Sequence, residues 1–157
     1  MSISEQDLLD AISAWGNRLV EISEAFENEG IVQATSVAEN MLDRLYGFNL
    51  GPVLFKPTLS GGFQTFRPTR EAALSYFVGQ NPDYPGDTGF GIKYWRRVIP
   101  ETSAFFIDDN VAMWMGWVTF FDKDDFATKV DKSWGYRLDT NGNLKIVLHH
   151  SSLPYQQ

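Results

Sequence analysis

Residues 111–121 read VAMWMGWVTFF, and this stretch decides the fold that the sequence predicts. Its apolar side chains fall on both alternating faces of an extended chain, which is typical of a β-strand covered on both sides. We expect one face to pack on helices and the other to line a cavity or a subunit interface. Gly116, in the middle of the stretch, indicates the bend or bulge that curves the sheet.

The flanking residues extend this strand into an antiparallel meander. Turn signals at residues 108–110, 122–125 and 141–142 separate further apolar clusters. The pair Asn141-Gly142 is the strongest of these signals, because this dipeptide favours a two-residue type I′ hairpin turn. The predicted strands cover residues 94–99, 104–107, 111–121, 134–138 and 144–150.

The first third of the chain has the spacing of helices. Six apolar residues recur at alternating steps of four and three between Leu8 and Phe26, which predicts one apolar stripe on a long helix. Ser4 and Asp7 resemble a capping box at its start, although Asp replaces the usual Glu or Gln. Gly30 is placed to end the helix.

Two further helices follow, and together the elements predict a fold class. The second helix carries an apolar face over residues 37–48, and a short third helix runs over residues 70–78 after the N-cap Thr69. Helices followed by a meander of long strands give a single α+β domain over residues 1–157. A curved antiparallel sheet wrapped around a long N-terminal helix would be the cone-shaped fold of the nuclear-transport-factor-2-like (NTF2-like) superfamily.

Composition excludes several classes of function. The formal net charge of −7 argues against a nucleic-acid partner, because phosphate neutralisation needs a clustered basic face. No run approaches the length of a transmembrane helix, and the N-terminus lacks the pattern of a signal peptide. The absence of cysteine removes disulfides, thiol nucleophiles and thiolate metal ligands, and it fits the cytoplasmic location that we expect.

The sequence offers few metal ligands. His149 and His150 are adjacent on a predicted strand, so their side chains should point to opposite faces and cannot share one ion without a bulge. A zinc site would therefore need one histidine and two carboxylates. A hard-cation site from the aspartates of residues 108–109 and 122–125 is possible on spacing, but such acids are more often solvated hairpin tips. We expect no metal and no other cofactor.

Hydroxyl side chains in apolar surroundings are the remaining candidates. They are Thr58, Tyr76 and Ser151. Ser151 and Ser152 follow His150 directly, but adjacency in sequence is not a catalytic triad, and no G-x-S-x-G elbow exists. The alternative for the run HHSSLP is a strand that simply ends in polar residues before a proline.

Four stretches resemble one known family. They are FKPT at 55–58, TFRPTREAALSYFVG at 65–79, DTGFGIKYW at 87–95 and LKIVLHHSSLPY at 144–155. In order and spacing they resemble the iota-class carbonic anhydrases, which are cone-shaped domains. The ending HHSS-x-P is the most specific piece, and it is complete at residues 149–154. Gln80 stands where the family usually has a second glycine.

The resemblance implies an activity and a site. It implies a lyase that hydrates CO2 reversibly to bicarbonate and a proton, in a homodimer that can work without a metal. Diatom relatives that prefer manganese leave the use of a metal open. The resemblance places Thr58, Tyr76 and Ser151 around the bicarbonate, as catalytic and substrate-binding residues.

None of these hydroxyls is a natural base at neutral pH, so the mechanism must depend on positioning and on stabilising charge. Tyr76 is the strongest acid of the three and is the expected proton relay. His149 or His150 could carry the released proton out, and strand alternation favours His149 because it shares a face with Ser151. Both histidines could instead only brace the end of the strand.

Two other functions remain open at this point. A non-catalytic NTF2-like domain for dimerisation or small-ligand binding would have a larger or filled cavity. An isomerase or dehydratase would need a buried acid with a raised pKa, which the sequence does not reveal.

Overall fold

The computed structural model describes residues 1–157 and contains three helices, five strands and two short 3-10 turns. The helices are α1 (Glu5–Glu29), α2 (Ile31–Leu45) and α3 (Arg70–Val78), and the 3-10 turns are Gly62–Gln64 and Phe90–Ile92. The strands are β1 (Leu54–Lys56), β2 (Trp95–Asp108), β3 (Val111–Asp122), β4 (Ala127–Leu138) and β5 (Leu144–Ser152). None of the helices combines the length and the apolar character that a membrane crossing needs.

The ends of α1 confirm the predicted caps. The Ser4 side chain accepts a hydrogen bond from the backbone N–H of Asp7, and the Asp7 carboxylate accepts one from the N–H of Ser4. Gly30 ends the helix at φ 95°, a backbone conformation that a residue with a Cβ adopts only with strain. The chain therefore turns sharply into α2, and the two helices pack together on one face of the sheet.

The five strands form one sheet in the order β1-β5-β4-β3-β2. The four long strands are antiparallel neighbours, as the sequence predicts, but β1 pairs with β5 in parallel, with Phe55 opposite His149. The sequence prediction missed β1, because three residues are too few to show a period. This parallel pair matters for function, since it places residues near 56 beside residues near 150.

The glycine at the centre of β3 lies at a bulge, as predicted. The residues predicted as two strands, 94–99 and 104–107, form the single strand β2, which shifts register between Thr102 and Ala104, directly opposite Gly116. A Cβ at Gly116 would collide with the backbone oxygen of Glu101. Glycine is thus required for the close approach of β2 and β3. Strand β4 also begins earlier than predicted, at Ala127.

The predicted type I′ turn at Asn141-Gly142 is wrong. Gly142 has φ of 80°, whereas Asn141 is not among the residues with positive φ. The Asp139 carboxylate instead accepts hydrogen bonds from the backbone N–H groups of Asn141 and Asn143. The Asp139 side chain therefore stabilises a longer loop. Within the Asn-Gly dipeptide, only Gly142 has the left-handed backbone conformation.

Strand β3 alternates strictly between a buried and an exposed face. Trp114, Val118 and Phe120 are buried on the inner face. The outer face is apolar but open in the single chain, and with neighbouring β2 residues it borders a groove of about 450 Å³. We call this the outer sheet face, and its exposed members on β3 are Val111, Met113, Met115 and Trp117. The sequence predicts that both faces of β3 are covered, whereas in the single chain only the inner face is covered.

Candidate active site

The structure brings two of the three candidate hydroxyls into direct contact. Thr58 lies just beyond the end of β1 and Ser151 lies in β5, and the parallel pairing of these strands sets them side by side. Thr58 Oγ1 is 2.5 Å from Ser151 Oγ, so one hydroxyl donates a hydrogen bond to the other. Ser151 has no exposed surface and Thr58 is half-buried. The pair thus lies at the border between the interior and the surface.

The third candidate, Tyr76, reaches the same place from α3. Its Oη accepts a hydrogen bond from the backbone N–H of Leu59, at 3.3 Å, one residue after Thr58. Burial raises the pKa of Tyr76, and hydrogen bonds from Leu59 and the Thr58 side chain offset only part of this rise. Tyr76 is therefore a neutral phenol that can donate a proton in a hydrogen bond. All three hydroxyls converge within one small region.

Aromatic rings and a small hollow surround Tyr76. The ring stacks on Phe90 with centroids 5.6 Å apart and meets the edge of Phe55 at 6.0 Å, and Phe90 in turn contacts Phe120 of β3 at 5.2 Å. A hollow of about 20 Å³ opens beside Tyr76 and Leu59. This volume holds about one water molecule. The site therefore combines an apolar wall with hydroxyl groups at its edge.

A buried acid lies next to this hollow, but it is already paired. The Asp87 carboxylate accepts two hydrogen bonds from the Arg67 guanidinium at 2.8 Å and one from Ser75 Oγ at 2.6 Å. Burial by itself raises the pKa of Asp87, but the hydrogen bonds from Arg67 and Ser75 outweigh it, so the net pKa is lowered. Asp87 is an ionised structural partner. It does not provide the raised-pKa acid that an isomerase or dehydratase of this fold requires.

The two histidines point to opposite faces of β5, as strand alternation predicts. His150 is exposed, and its Nε2 lies 3.3 Å from Ser152 Oγ. His149 is buried, and its Nδ1 lies 2.8 Å from Tyr46 Oη while its Nε2 lies 2.9 Å from Lys132 Nζ. Burial lowers the pKa of His149 well below its usual value. His149 is therefore a neutral imidazole.

The possible metal ligands do not gather. No three His, Cys, Asp or Glu side chains lie together as they would around an ion. The hairpin aspartates of residues 108–109 and 122–125 are exposed or half-buried at the loops between strands. Neither the one-histidine, two-carboxylate arrangement nor the hard-cation arrangement is assembled in this fold.

Sequence reasoning missed three residues around the hydroxyls. Tyr46 fixes His149, and Lys56 donates from Nζ to the backbone oxygen of Ser151 at 2.7 Å. Lys132 is only 3% exposed, although lysine is almost never buried without a partner. A signal for it was present, because Lys132 alternates with Val130 and Trp134 along the buried face of β4.

Comparisons with known proteins give matches over most of this chain. The family model "Metal-independent carbonic anhydrase" matches residues 6–153. The metal-independent carbonic anhydrase of Nostoc sp. strain PCC 7120 is 47% identical over 156 residues, which are 99% of this chain and 76% of that protein.

Two solved structures are similar to this chain, the first in sequence and fold and the second in fold. A cyanobacterial iota-carbonic anhydrase in complex with bicarbonate is 47% identical with a TM-score of 0.98, and the match covers 99% of this chain and 95% of that one. An NTF2-like superfamily protein from Salmonella enterica has 15% identity and a TM-score of 0.52, and the match covers 98% and 96% of the two chains. The second likeness concerns the fold alone, and it confirms the predicted NTF2-like α+β class.

Proposed function

The chain belongs to the metal-independent carbonic anhydrase family, and from this premise we propose that Thr58, Tyr76 and Ser151 form its active site. The reaction is the reversible hydration of CO2 to bicarbonate and a proton. The observation that carries the assignment of the site is the contact between the Thr58 and Ser151 hydroxyls. Tyr76 lies beside this pair, because its Oη accepts a hydrogen bond from the backbone N–H of Leu59, the residue after Thr58. The bicarbonate named in the complex of the cyanobacterial relative is the ligand that we place here.

The hydroxyls have complementary tasks in this proposal. Each of them can both donate and accept a hydrogen bond. Ser151 and Thr58 hold the attacking water. As the water oxygen bonds to the carbon of CO2, one of these hydroxyls takes up a proton from the water and passes its own proton to a neighbouring acceptor. Tyr76, as a neutral phenol, donates to the oxygen of CO2 that becomes negative. A donor of this kind contributes about 3 kcal/mol of transition-state stabilisation.

The surroundings suit the two forms of the substrate. Carbon dioxide is apolar, and the rings of Phe55, Phe90 and Phe120 provide the apolar wall beside Tyr76. Bicarbonate is an anion, and the ammonium group of Lys56 lies at the backbone of Ser151. The site thereby offers contacts to the substrate before and after the attack of water.

We propose that the buried histidine takes part in the release of the proton through the side chains that it contacts, Tyr46 and Lys132. His149 shares the inner face of β5 with Ser151, whereas His150 faces outward. His149 is enclosed, so it acts on neighbouring side chains and does not exchange directly with solvent. A bracing role for both histidines predicts no change in the pH dependence of the rate when either is replaced, and this distinguishes the two roles.

We also propose that the protein is a homodimer formed through the outer sheet face. Large exposed apolar side chains, including Met113, Met115 and Phe106, are concentrated on this face beside a groove of about 450 Å³. An apolar patch of this kind on one face of a sheet marks an interaction site. A second copy would give β3 the cover on both sides that its sequence pattern predicts.

One experiment tests the proposed function directly. A crystal structure with bicarbonate should show the anion within hydrogen-bond distance of Thr58, Tyr76 and Ser151. The same preparation should hydrate CO2 in a stopped-flow assay. A filled cavity with no bicarbonate and no activity would instead support a non-catalytic domain for dimerisation or ligand binding. The cytoplasmic location expected from the sequence stays a prediction.

A further inference from the structure

A chain of buried hydrogen bonds runs from α1 across the core to β4. Trp15 Nε1 lies 2.9 Å from Tyr46 Oη, Tyr46 Oη lies 2.8 Å from His149 Nδ1, and His149 Nε2 lies 2.9 Å from Lys132 Nζ. All four side chains are at most 3% exposed. Water cannot complete their hydrogen bonds, so these groups must satisfy one another.

The order of donors along this chain fixes the protonation state of its last member. Indole N–H can only donate, so the Tyr46 oxygen accepts from Trp15. Tyr46 Oη has hydrogen-bond contacts with Trp15 and His149 only, so we assign its proton to His149 Nδ1, which is then the acceptor. A neutral imidazole with an unprotonated Nδ1 carries its proton on Nε2, and this N–H donates to Lys132. Lys132 can accept only with a free lone pair, and therefore only as an unprotonated amine.

The surroundings of Lys132 support the same conclusion. No carboxylate lies within salt-bridge distance of Nζ. Burial lowers the pKa of Lys132 well below its usual value, Lys56 lowers it further, and the charge of Asp131 opposes the shift. His149 and Ser151 from β5, Trp15 from α1 and Phe120 from β3 complete the surroundings, and none of them carries a negative charge.

Lys132 also has the position of a proton acceptor. It lies directly opposite Ser151 in the register between β4 and β5. Side chains at such opposite positions have Cβ atoms about 5 Å apart. His149 and Ser151 lie two residues apart on one face of β5, about 7 Å along the strand. The four-carbon stem of lysine can therefore carry Nζ from His149 to Ser151.

The protonated form of Lys132 has partners as well. Nζ lies 4.7 Å from the ring centroid of Trp15, 5.5 Å from that of Trp134 and 5.7 Å from that of Phe120. Ring faces at these distances attract an ammonium group. His149 thus provides a donor for the neutral amine and the aromatic cage stabilises the cation, so both states of a proton acceptor are accommodated.

We propose that Lys132 is a neutral amine in the folded protein and accepts the proton released in CO2 hydration. The proposal rests on the active site assigned above. As the oxygen of water bonds to the carbon of CO2, Ser151 Oγ takes a proton from this water and passes its own proton to the lone pair of Nζ. Bicarbonate and a lysine ammonium result. After bicarbonate leaves, the ammonium returns its proton through the Ser151 hydroxyl to a water molecule at half-buried Thr58, before the next turnover. In the reverse direction the ammonium supplies the proton.

The first test measures the protonation state without using activity. Lysine labelled with ¹³C at Cε is incorporated into the protein, and the Lys132 signal is assigned by its loss in Lys132→Met. We expect the Lys132 chemical shift at pH 7 to be that of an amine. A Lys132 signal typical of an ammonium ion at pH 7 would overturn the proposal.

The second test measures the rate of CO2 hydration. Lys132→Met keeps the length and apolar stem, and we expect kcat at pH 7 to fall at least tenfold with KM changed less than twofold. The inflection of the pH–rate profile that follows loss of the Lys132 proton should also disappear. The matched control is Lys145→Met, because Lys145 is also buried but donates to the Asp43 backbone oxygen away from the site.

The outcomes separate this inference from the assignment of the site. A normal rate and an unchanged pH profile in folded Lys132→Met would overturn the role of Lys132, whatever Ser151→Ala does. A normal rate in Ser151→Ala with a slow Lys132→Met would reject Ser151 as the relay and leave Lys132 as an acceptor reached by another path. If Lys132→Met does not fold, Lys132→Gln, whose neutral amide can still accept the hydrogen bond of His149 but cannot take up a proton, should fold to a protein that lacks the activity.

Discussion

Thr58 and Ser151 lie 93 positions apart in the chain, yet their hydroxyl oxygens are 2.5 Å apart. Only the parallel pairing of β1 with β5 makes this contact possible, because it aligns the end of a three-residue strand with the end of the last strand. The contact joins two hydroxyls that can exchange donor and acceptor roles, which is the property that handling a water molecule requires.

Replacing Ser151 by alanine removes one of these two hydroxyls. We expect Ser151→Ala to lower the rate of CO2 hydration at least tenfold, because water loses both a positioning contact and a proton relay. Stopped-flow measurement with a pH indicator gives the rate, and circular dichroism checks the fold. The matched control is Ser152→Ala, whose hydroxyl lies outside the proposed site, and this variant should retain the wild-type rate. Equal rates for the two variants would remove Ser151 from the mechanism.

Replacing Tyr76 by phenylalanine removes a single oxygen and leaves the ring. We expect Tyr76→Phe to lower kcat at least tenfold, because the developing negative oxygen loses its donor, while the packing against Phe90 is retained. The thermal midpoint should change little. Tyr155→Phe is the control, since Tyr155 is 88% exposed. If Tyr76→Phe turns over at the wild-type rate, the phenol has no part in the chemistry.

Removal of metal ions should leave the activity unchanged. The side chains of the proposed site are hydroxyls, and no cluster of metal-ligating side chains is assembled around them. We expect the rate in chelator-treated buffer to lie within twofold of the rate with added zinc or manganese. Mass spectrometry of metals in the purified protein serves as the control. Loss of activity with chelator and recovery with one metal would contradict the metal-free mechanism.

The proposed dimer can be tested by placing a charge on the outer sheet face. Met115, at the centre of the outer sheet face, is 59% exposed, and a second copy would bury it. We expect Met115→Glu to be monomeric in light scattering, because an unpaired carboxylate in an apolar interface is costly. The control is Val32→Glu, which alters an exposed apolar residue of α2 away from this face. A dimeric Met115→Glu protein, or a monomeric wild-type protein, would show that this face is not the interface.

The buried lysine makes stability depend on pH in a defined direction. Since burial lowers the pKa of Lys132, the folded protein binds one proton fewer than the unfolded chain at pH values between the lowered pKa and 10.5. The free energy of unfolding should therefore rise with pH across this interval, with about 1.4 kcal/mol per pH unit from this group.

Lys132→Met lacks that dependence and should gain stability relative to the wild type as the pH falls below 10.5. Urea unfolding at several pH values, followed by tryptophan fluorescence, gives the difference between the two proteins. Because the remaining titratable groups are shared, their contributions largely cancel. Parallel curves for the two proteins would mean that Lys132 is charged in the folded state.

Much of the fold could be predicted because its signals are local. The capping box of α1, the period of its apolar stripe and the glycine at the β-bulge depend on neighbouring residues. The predictions were wrong where contacts with distant residues, or competing side-chain contacts, determine the local structure. Strand β1 is three residues long and exists through its pairing with β5, and the Asp139 carboxylate overrides the turn preference of Asn141-Gly142.

The site shows the same division. Motifs that resemble a known family pointed to Thr58, Tyr76 and Ser151, and strand alternation correctly separated the two histidines. Lys132 was missed because lysine is normally a surface residue and because the predicted strand began at residue 134, so the alternation of Lys132 with Trp134 fell outside it. Its link to Tyr46 through His149 joins three elements, and no spacing in the sequence encodes such a link.

The parallel pairing of β1 with β5 also has a consequence for how the protein acquires activity as it folds. The helices and the hairpins of β2, β3 and β4 form between residues that are close in sequence. Strand β5 pairs with β1 across a separation of some ninety residues, as the register of Phe55 opposite His149 shows. Closure of long loops is slow compared with local contacts. Recovery of CO2 hydration during refolding should therefore lag behind recovery of helical signal, and enzymatic competence would be the last property to appear.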